Sequence, residues 1–195
     1  MNPIHSKILG LFLGLTFLSA SAQAMTSFSK DGFDITVEPV VGYQFTHSGA
    51  SSGTGMLIYG ARVTAGSKLL SAEAEYTHGS NTTVTGSPEQ TIKTDQDAAK
   101  LGLLSSPSLT NWLNFLARAG GQASRQKVVT TQSGTSTTDD GKWDLDPYAG
   151  VGLQGALGSQ ISLNAEVTYV VDDWSHWNKN DIQTTFSVKM NVNAF

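Results

Sequence analysis

The chain has no cysteine, only 5 prolines in 195 residues, and few charges: Asp, Glu, Lys and Arg together make up 14%. An average soluble domain carries about 25%. Without cysteine there is no disulfide framework, no thiolate metal site and no lipid anchored on a cysteine. So thin a coat of charge argues against a freely soluble surface, and a net charge of −4 argues against disorder driven by self-repulsion. The 12 basic residues are outnumbered by 16 acidic ones. The basic face that nucleic acid demands is missing, so no nucleic-acid partner is expected. Glycine, in contrast, is frequent at 20 residues.

A helix able to cross a membrane is lacking too. The apolar stretch Ile8–Leu18 is 11 residues long, and a spanning helix needs about 20. Lys7 precedes it and Ala22-Gln23-Ala24 follows it, the pattern of a secretory signal peptide cleaved after Ala24. Removing residues 1–24 leaves 171 residues of net charge −5. Any membrane this exported chain enters must be crossed by strands.

What the mature chain has is alternation of period two, the mark of strands with one apolar face. Eight segments show it. Asp34–His47 sets Ile35, Val37, Val41, Tyr43 and Phe45 against Thr36, Glu38, Gly42 and Gln44. Met56–Ala65, Leu69–His78, the stretch around Lys100, Trp112–Ser124, Leu145–Leu157, Ile161–Val171 and Ile182–Phe195 repeat the pattern. Most run to about 10–14 residues. A tilted strand needs about 9–11 to cross a bilayer, and soluble strands average about 5–6. The connections alternate as well. Those at 48–55, 79–97, 125–144 and 172–181 are long; those at 66–68, 105–111 and 158–160 are short. Long loops at one end and short turns at the other suit an outer-membrane barrel, loops outside and turns in the periplasm. Thr130–Thr138, a Ser/Thr/Gly tract, is expected to be a mobile loop.

Period two alone does not say which face is inside. A soluble eight-stranded barrel lines its cavity with the apolar face and holds a ligand; a membrane barrel is reversed. The charges favour the second. Glu38, Arg62, Glu73, Glu75, Lys100, Arg118, Glu166 and Lys189 all fall on the non-apolar face. Their signs alternate so that neighbouring strands pair, Lys189 of the last strand meeting Glu38 of the first at closure. Buried charge requires such pairing. Gly42, Gly60, Gly102, Gly120, Gly150 and Gly152 lie on the same face, where a crowded interior needs small residues. Aromatics gather at the strand ends: Tyr76, Trp143, Tyr169, Trp174 and Trp177 toward the long loops, Trp112 toward the short turns. Two such belts mark the two membrane interfaces.

With these features the sequence resembles the small eight-stranded outer-membrane β-barrels of Gram-negative bacteria, the OmpA/OmpX-type group, in its barrel-only form. The resemblance covers Asp34–Phe195 and implies an all-β, antiparallel, up-and-down transmembrane barrel. Residues 25–33 would be a short periplasmic segment before the barrel of 34–195. In that group a C-terminal aromatic, here Phe195, belongs to the signal through which the barrel-assembly machinery takes up the C-terminal strand. The apolar residues before it, Val192, Met190 and Val188, stand on the opposite parity from the group's usual pattern. The other implied partners are outer-membrane lipid and lipopolysaccharide, together with an extracellular protein or surface met by 79–97 and 125–144.

The chemistry-bearing residues are sparse. His47, His78 and His176 lie at the long-loop end, but their spacing matches no metal motif, and neither metal nor cofactor is expected. Ser175-His176 beside Asp172 and Asp173 invites a hydrolase reading. Adjacent Ser and His rarely converge as nucleophile and base, however, and catalysis is not expected. The expected function is a plugged barrel with a structural or surface-interaction, adhesin-like role. The alternatives are a narrow ion channel, a lipid-modifying outer-membrane enzyme, and a soluble periplasmic ligand-binding barrel.

Overall fold

The computed structural model describes residues 28–30, 33–45, 55–85, 90–158, 161–172 and 180–190. These form ten strands: β1 (Phe28–Lys30), β2 (Phe33–Phe45), β3 (Gly55–Gly66), β4 (Ser71–Thr85), β5 (Gln90–Ser105), β6 (Leu113–Gln132), β7 (Thr135–Asp140), β8 (Asp144–Ala156), β9 (Ile161–Val170) and β10 (Asp181–Met190). All pairings are antiparallel. Eight strands make the ring, β2-β10-β9-β8-β6-β5-β4-β3, and β2 closes it by pairing with β3. This is the up-and-down barrel that the alternation predicts. β1 and β7 are additions to it.

The faces are settled by exposure. Leu57, Tyr59, Leu101, Leu103, Val151, Leu153, Leu163, Val167 and Phe186 are exposed, while Glu38, Arg62, Glu75, Lys100 and Gln183 are buried. The apolar residues therefore form an outer band running round the barrel, and the charges line the interior. That excludes the soluble ligand-binding alternative, whose apolar face would be inside. Water would not tolerate so large an apolar surface; hydrocarbon does.

The long connections differ from the expectation. Most of 79–97 and of 125–144 is strand, not loop. β4 and β5 stay in register past the apolar band, through Ser80↔Asp95 to Thr85↔Gln90. β6 follows them to Gln132↔Gln90, and β7 pairs with β6 from Lys127↔Asp140 to Gln132↔Thr135. Thr130–Thr138 is thus a hairpin. Ser133 (φ 49°) and Gly134 (φ 82°) form its two-residue turn, both in the left-handed region that such turns require. A four-stranded sheet stands above one side of the ring.

β1 alters the seam. It pairs with β2 at Phe28↔Ile35 to Lys30↔Phe33, while the other edge of β2 is held by β3 from Asp34↔Gly66 upward. β1 therefore occupies the lower part of the edge that β10 would otherwise fill. Among the described residues the β10–β2 ladder ends at Ser187↔Val40, above the pairs that β1 makes.

Candidate functional site: the lumenal charge cluster and the protruding sheet

Each lumenal side chain is placed by strand parity. Glu73 and Glu75 rise on β4, Arg118 on β6 and Glu166 on β9; Arg62 descends on β3 and Lys100 on β5. They meet at mid-height. Arg62 donates from Nη1 to Glu166 Oε1 at 2.5 Å and from Nε to Glu75 Oε2 at 2.8 Å. Arg118 donates to Glu73 at 2.9 Å and to Glu75 at 3.0 Å, and its Nη1 lies 3.3 Å from Glu166. Lys100 Nζ donates to Glu75 Oε1 at 2.6 Å. Glu75 thus serves all three cations, and all six side chains are buried. Inward-facing glycines make room. A Cβ on Gly152 would stand 2.6 Å from Glu166 Cγ, and one on Gly150 would stand 3.0 Å from Arg118 Cγ.

Two expected members stand elsewhere. Glu38 is buried but lies 3.9 Å from Arg62; its Oε2 accepts from Asn164 Nδ2 and Ser187 Oγ, each at 2.9 Å. Lys189 does not meet Glu38. Among the described residues the β10–β2 ladder stops at Ser187↔Val40, two residues short of Lys189, and Ser187 takes the carboxylate instead. Lys189 lines the short-turn mouth of the barrel.

Other members were not singled out from sequence. The Tyr148 hydroxyl donates to Glu73, and Arg118 lies 5.1 Å from the centre of its ring. Above Lys100 runs a ladder of amides. Lys100 donates to Gln183 Oε1 at 2.6 Å, Gln183 to Gln44 at 3.1 Å and to Gln122 at 3.3 Å, and Gln44 to Gln96 at 3.0 Å and to Asp181 at 2.7 Å. The signal was available: Gln44, Gln122 and Gln183 share the parity of the charges. Polar groups buried this deep stay only when hydrogen-bonded, so the network holds the lumen in one arrangement.

On the outer surface Trp112 and Trp143 are exposed beside strand ends and Tyr76 is exposed within β4, and the Tyr169 hydroxyl accepts from Asn180 Nδ2 at 2.5 Å. Trp174, Trp177 and Phe195 lie outside the described residues, as do His47, Asp173, Ser175 and His176. His78 Nδ1 is 2.9 Å from Asp97 Oδ1, and the Tyr76 hydroxyl donates to the same oxygen at 2.8 Å. Arg125 reaches Asp97 Oδ2 at 3.3 Å and stacks 5.3 Å from the Trp143 ring. One strand step higher, Lys93 and Ser80 donate to Asp95. Hydrogen bonds from His78 and Tyr76 hold the Asp97 carboxyl below its usual range, and those from Lys93 and Ser80 do the same for Asp95. Among the described residues no three His, Asp or Glu side chains are placed to hold a metal ion.

The protruding sheet is mostly polar on both faces. Its rows read Thr82-Lys93-Val129-Thr138 and Thr83-Ile92-Thr130-Thr137, and all of β7 is exposed. Among the described residues β7 pairs only with β6, and β4 beyond Ser80 only with β5, so the sheet has two open edges.

Comparison with known proteins agrees with this architecture. Comparison with curated proteins gives no match. Among solved structures, the neisserial surface protein A is similar at a TM-score of 0.56 and 12% identity, covering 83% of this chain and 98% of its own. Ail, the attachment invasion locus protein of Yersinia pestis, solved with the heparin analogue sucrose octasulfate, is similar at 0.53 and 7%, covering 81% and 96%. At such identities these likenesses speak to the fold. The sequence itself matches the family described as outer membrane protein beta-barrel domain over residues 10–193. With the closed ring, the apolar outer band and that match in hand, the chain belongs to the outer-membrane β-barrel family and resides in the outer membrane, in contact with its lipids.

Proposed function

We propose that this protein is a non-catalytic surface-contact protein: the charge cluster plugs its lumen, and the protruding sheet is its working part. The observation that carries this reading is the sheet itself. Long connections in this family lie outside the cell, so four strands continue past the apolar band into the medium with two edges unpaired. Open edges carry free N–H and C=O groups and invite an added strand. Ail is named for attachment and was solved with a polyanion. Here charge favours a different partner. Among the described residues of 80–97, 125–146 and 172–181, eight acids stand against four bases, so an extended protein segment fits better than a sulfated sugar.

The test removes the sheet and spares the barrel. Residues 80–95 and 126–142 are each replaced by a two-residue turn, and the barrel is checked by the mobility shift between unheated and boiled samples. Cells carrying the whole protein should adhere to immobilised extracellular protein, and cells carrying the trimmed one should not. Equal adhesion by both would sink the proposal. For the plug, planar bilayers should stay silent with the whole protein; steady conductance that changes in Glu73→Gln would instead favour the narrow channel.

A further inference from the structure

At the short-turn end, which in this family faces the periplasm, the ring opens into a cavity of about 230 Å³. Lys68, Lys189, Ser108, Asn111 and Ser162 line it, together with Trp112 and Asp34. Two ammonium groups against one carboxylate make it the reverse of the acidic outer end. Lys189 is on the lumenal parity, yet it differs from every other lumenal cation. Arg62, Lys100 and Arg118 each lie within 3 Å of a carboxylate. Among the described residues no carboxylate lies within ion-pair reach of Lys189 or Lys68. The carboxylate that strand order would give Lys189 is engaged by Asn164 and Ser187. A half-buried cation with no counter-charge is a costly arrangement that an anion relieves. Hydroxyl and amide groups lining the same cavity offer further donors, and an oxyanion with several acceptor oxygens suits such a lining.

We infer that this cavity binds a phosphate-bearing anion, between Lys68 and Lys189. Free phosphate in the periplasm and the phosphodiester headgroup of an inner-leaflet phospholipid share this chemistry. Trp112 is exposed and lines the same cavity, and exposed tryptophans favour the headgroup level of a bilayer.

The full-length barrel folded in an uncharged maltoside detergent provides the test. Inorganic phosphate is titrated at constant ionic strength against chloride, and the Trp112 indole and the Ser108 and Asn111 amides are followed by NMR. A short-chain phosphatidylglycerol is titrated in a parallel series. Saturable shifts confined to these groups are expected with at least one of the two. Shifts with both point to a site for either source, and shifts with the lipid alone point to the headgroup. Lys189→Gln should weaken binding about tenfold, the loss of one hydrogen bond to a charged group, and Lys189→Arg should restore most of it. Lys68→Gln should weaken binding similarly, so the proposal stays testable if Lys189→Gln misfolds. No saturable shift with either probe, or equal affinity in the folded glutamine variants, would overturn it.

Discussion

Glu75→Gln is the most informative single change in the lumen. Glu75 holds Lys100 at 2.6 Å, Arg62 at 2.7 Å and Arg118 at 3.0 Å. The two arginines keep Glu166, and Arg118 keeps Glu73. Lys100 keeps no carboxylate among the described residues, only the Gln183 amide oxygen. The variant therefore leaves a buried ammonium uncompensated, at a cost of about 3–5 kcal/mol. Lys100→Met is gentler, because Glu75 still has both arginines. It loses charge-assisted bonds worth about 1.5–3 kcal/mol, partly offset by burying the apolar methionine chain, for a net of about 1–2 kcal/mol. The double variant has no orphaned ammonium, so it should be more stable than the sum of the singles implies, by about 2 kcal/mol. Urea unfolding of the barrel in lipid vesicles, followed by tryptophan emission and by the mobility shift, measures all four corners. If Glu75→Gln costs under about 1 kcal/mol, or the two changes simply add, Glu75 is not the hub of the cluster and the reasoning fails.

Leu101 and Lys100 are neighbours on β5 facing opposite ways, Leu101 69% exposed and Lys100 buried. Leu101→Arg puts a charge into the lipid and should cost about 2–4 kcal/mol if it lies near the bilayer midplane, measured by the same urea titration. A cost near zero would mean that this face does not meet hydrocarbon. Asp95 and Asp97 are held below the usual carboxyl range by their donors. Their contribution to stability is then complete above about pH 4, the ordinary aspartate value, and is lost as pH falls further through the lowered folded value. The urea midpoints of wild type and Asp97→Asn should differ by a constant amount from pH 7 to 5 and converge below about pH 4. A gap that already closes at pH 6 would contradict this.

The eight spans were legible because each has one face in lipid and one in a polar lumen, so hydropathy alternates with strand period. The upper parts of β4 to β7 were not, for the same reason. Above the membrane both faces meet water, and Asn81–Thr85 or Thr135–Asp140 carries no apolar contrast for a period to show. The signal that remains there is composition. TTVT, VVTT and TSTT are rich in β-branched residues, which favour strands whether or not they alternate. Lys189 was misplaced for a different reason. Strand order put it beside Glu38, but among the described residues the β10–β2 ladder stops at Ser187↔Val40, and the Glu38 carboxylate is taken by Asn164 and Ser187. The point at which a ladder stops leaves no mark on the alternation of its strands.

The seam between β10 and β2 has a mechanical consequence. Among the described residues the β10–β2 ladder holds six register pairs, against ten for β10–β9, twelve for β2–β3 and sixteen for β5–β6. The ring is a zipper with one short row of teeth, and that row joins the first and last strands of the ring. It should close last when the barrel forms and part first when it is pulled, with the long β4–β5–β6 rows holding to the end. A molecule gripped by its protruding sheet would then pass the load into its longest seams, far from its weakest one.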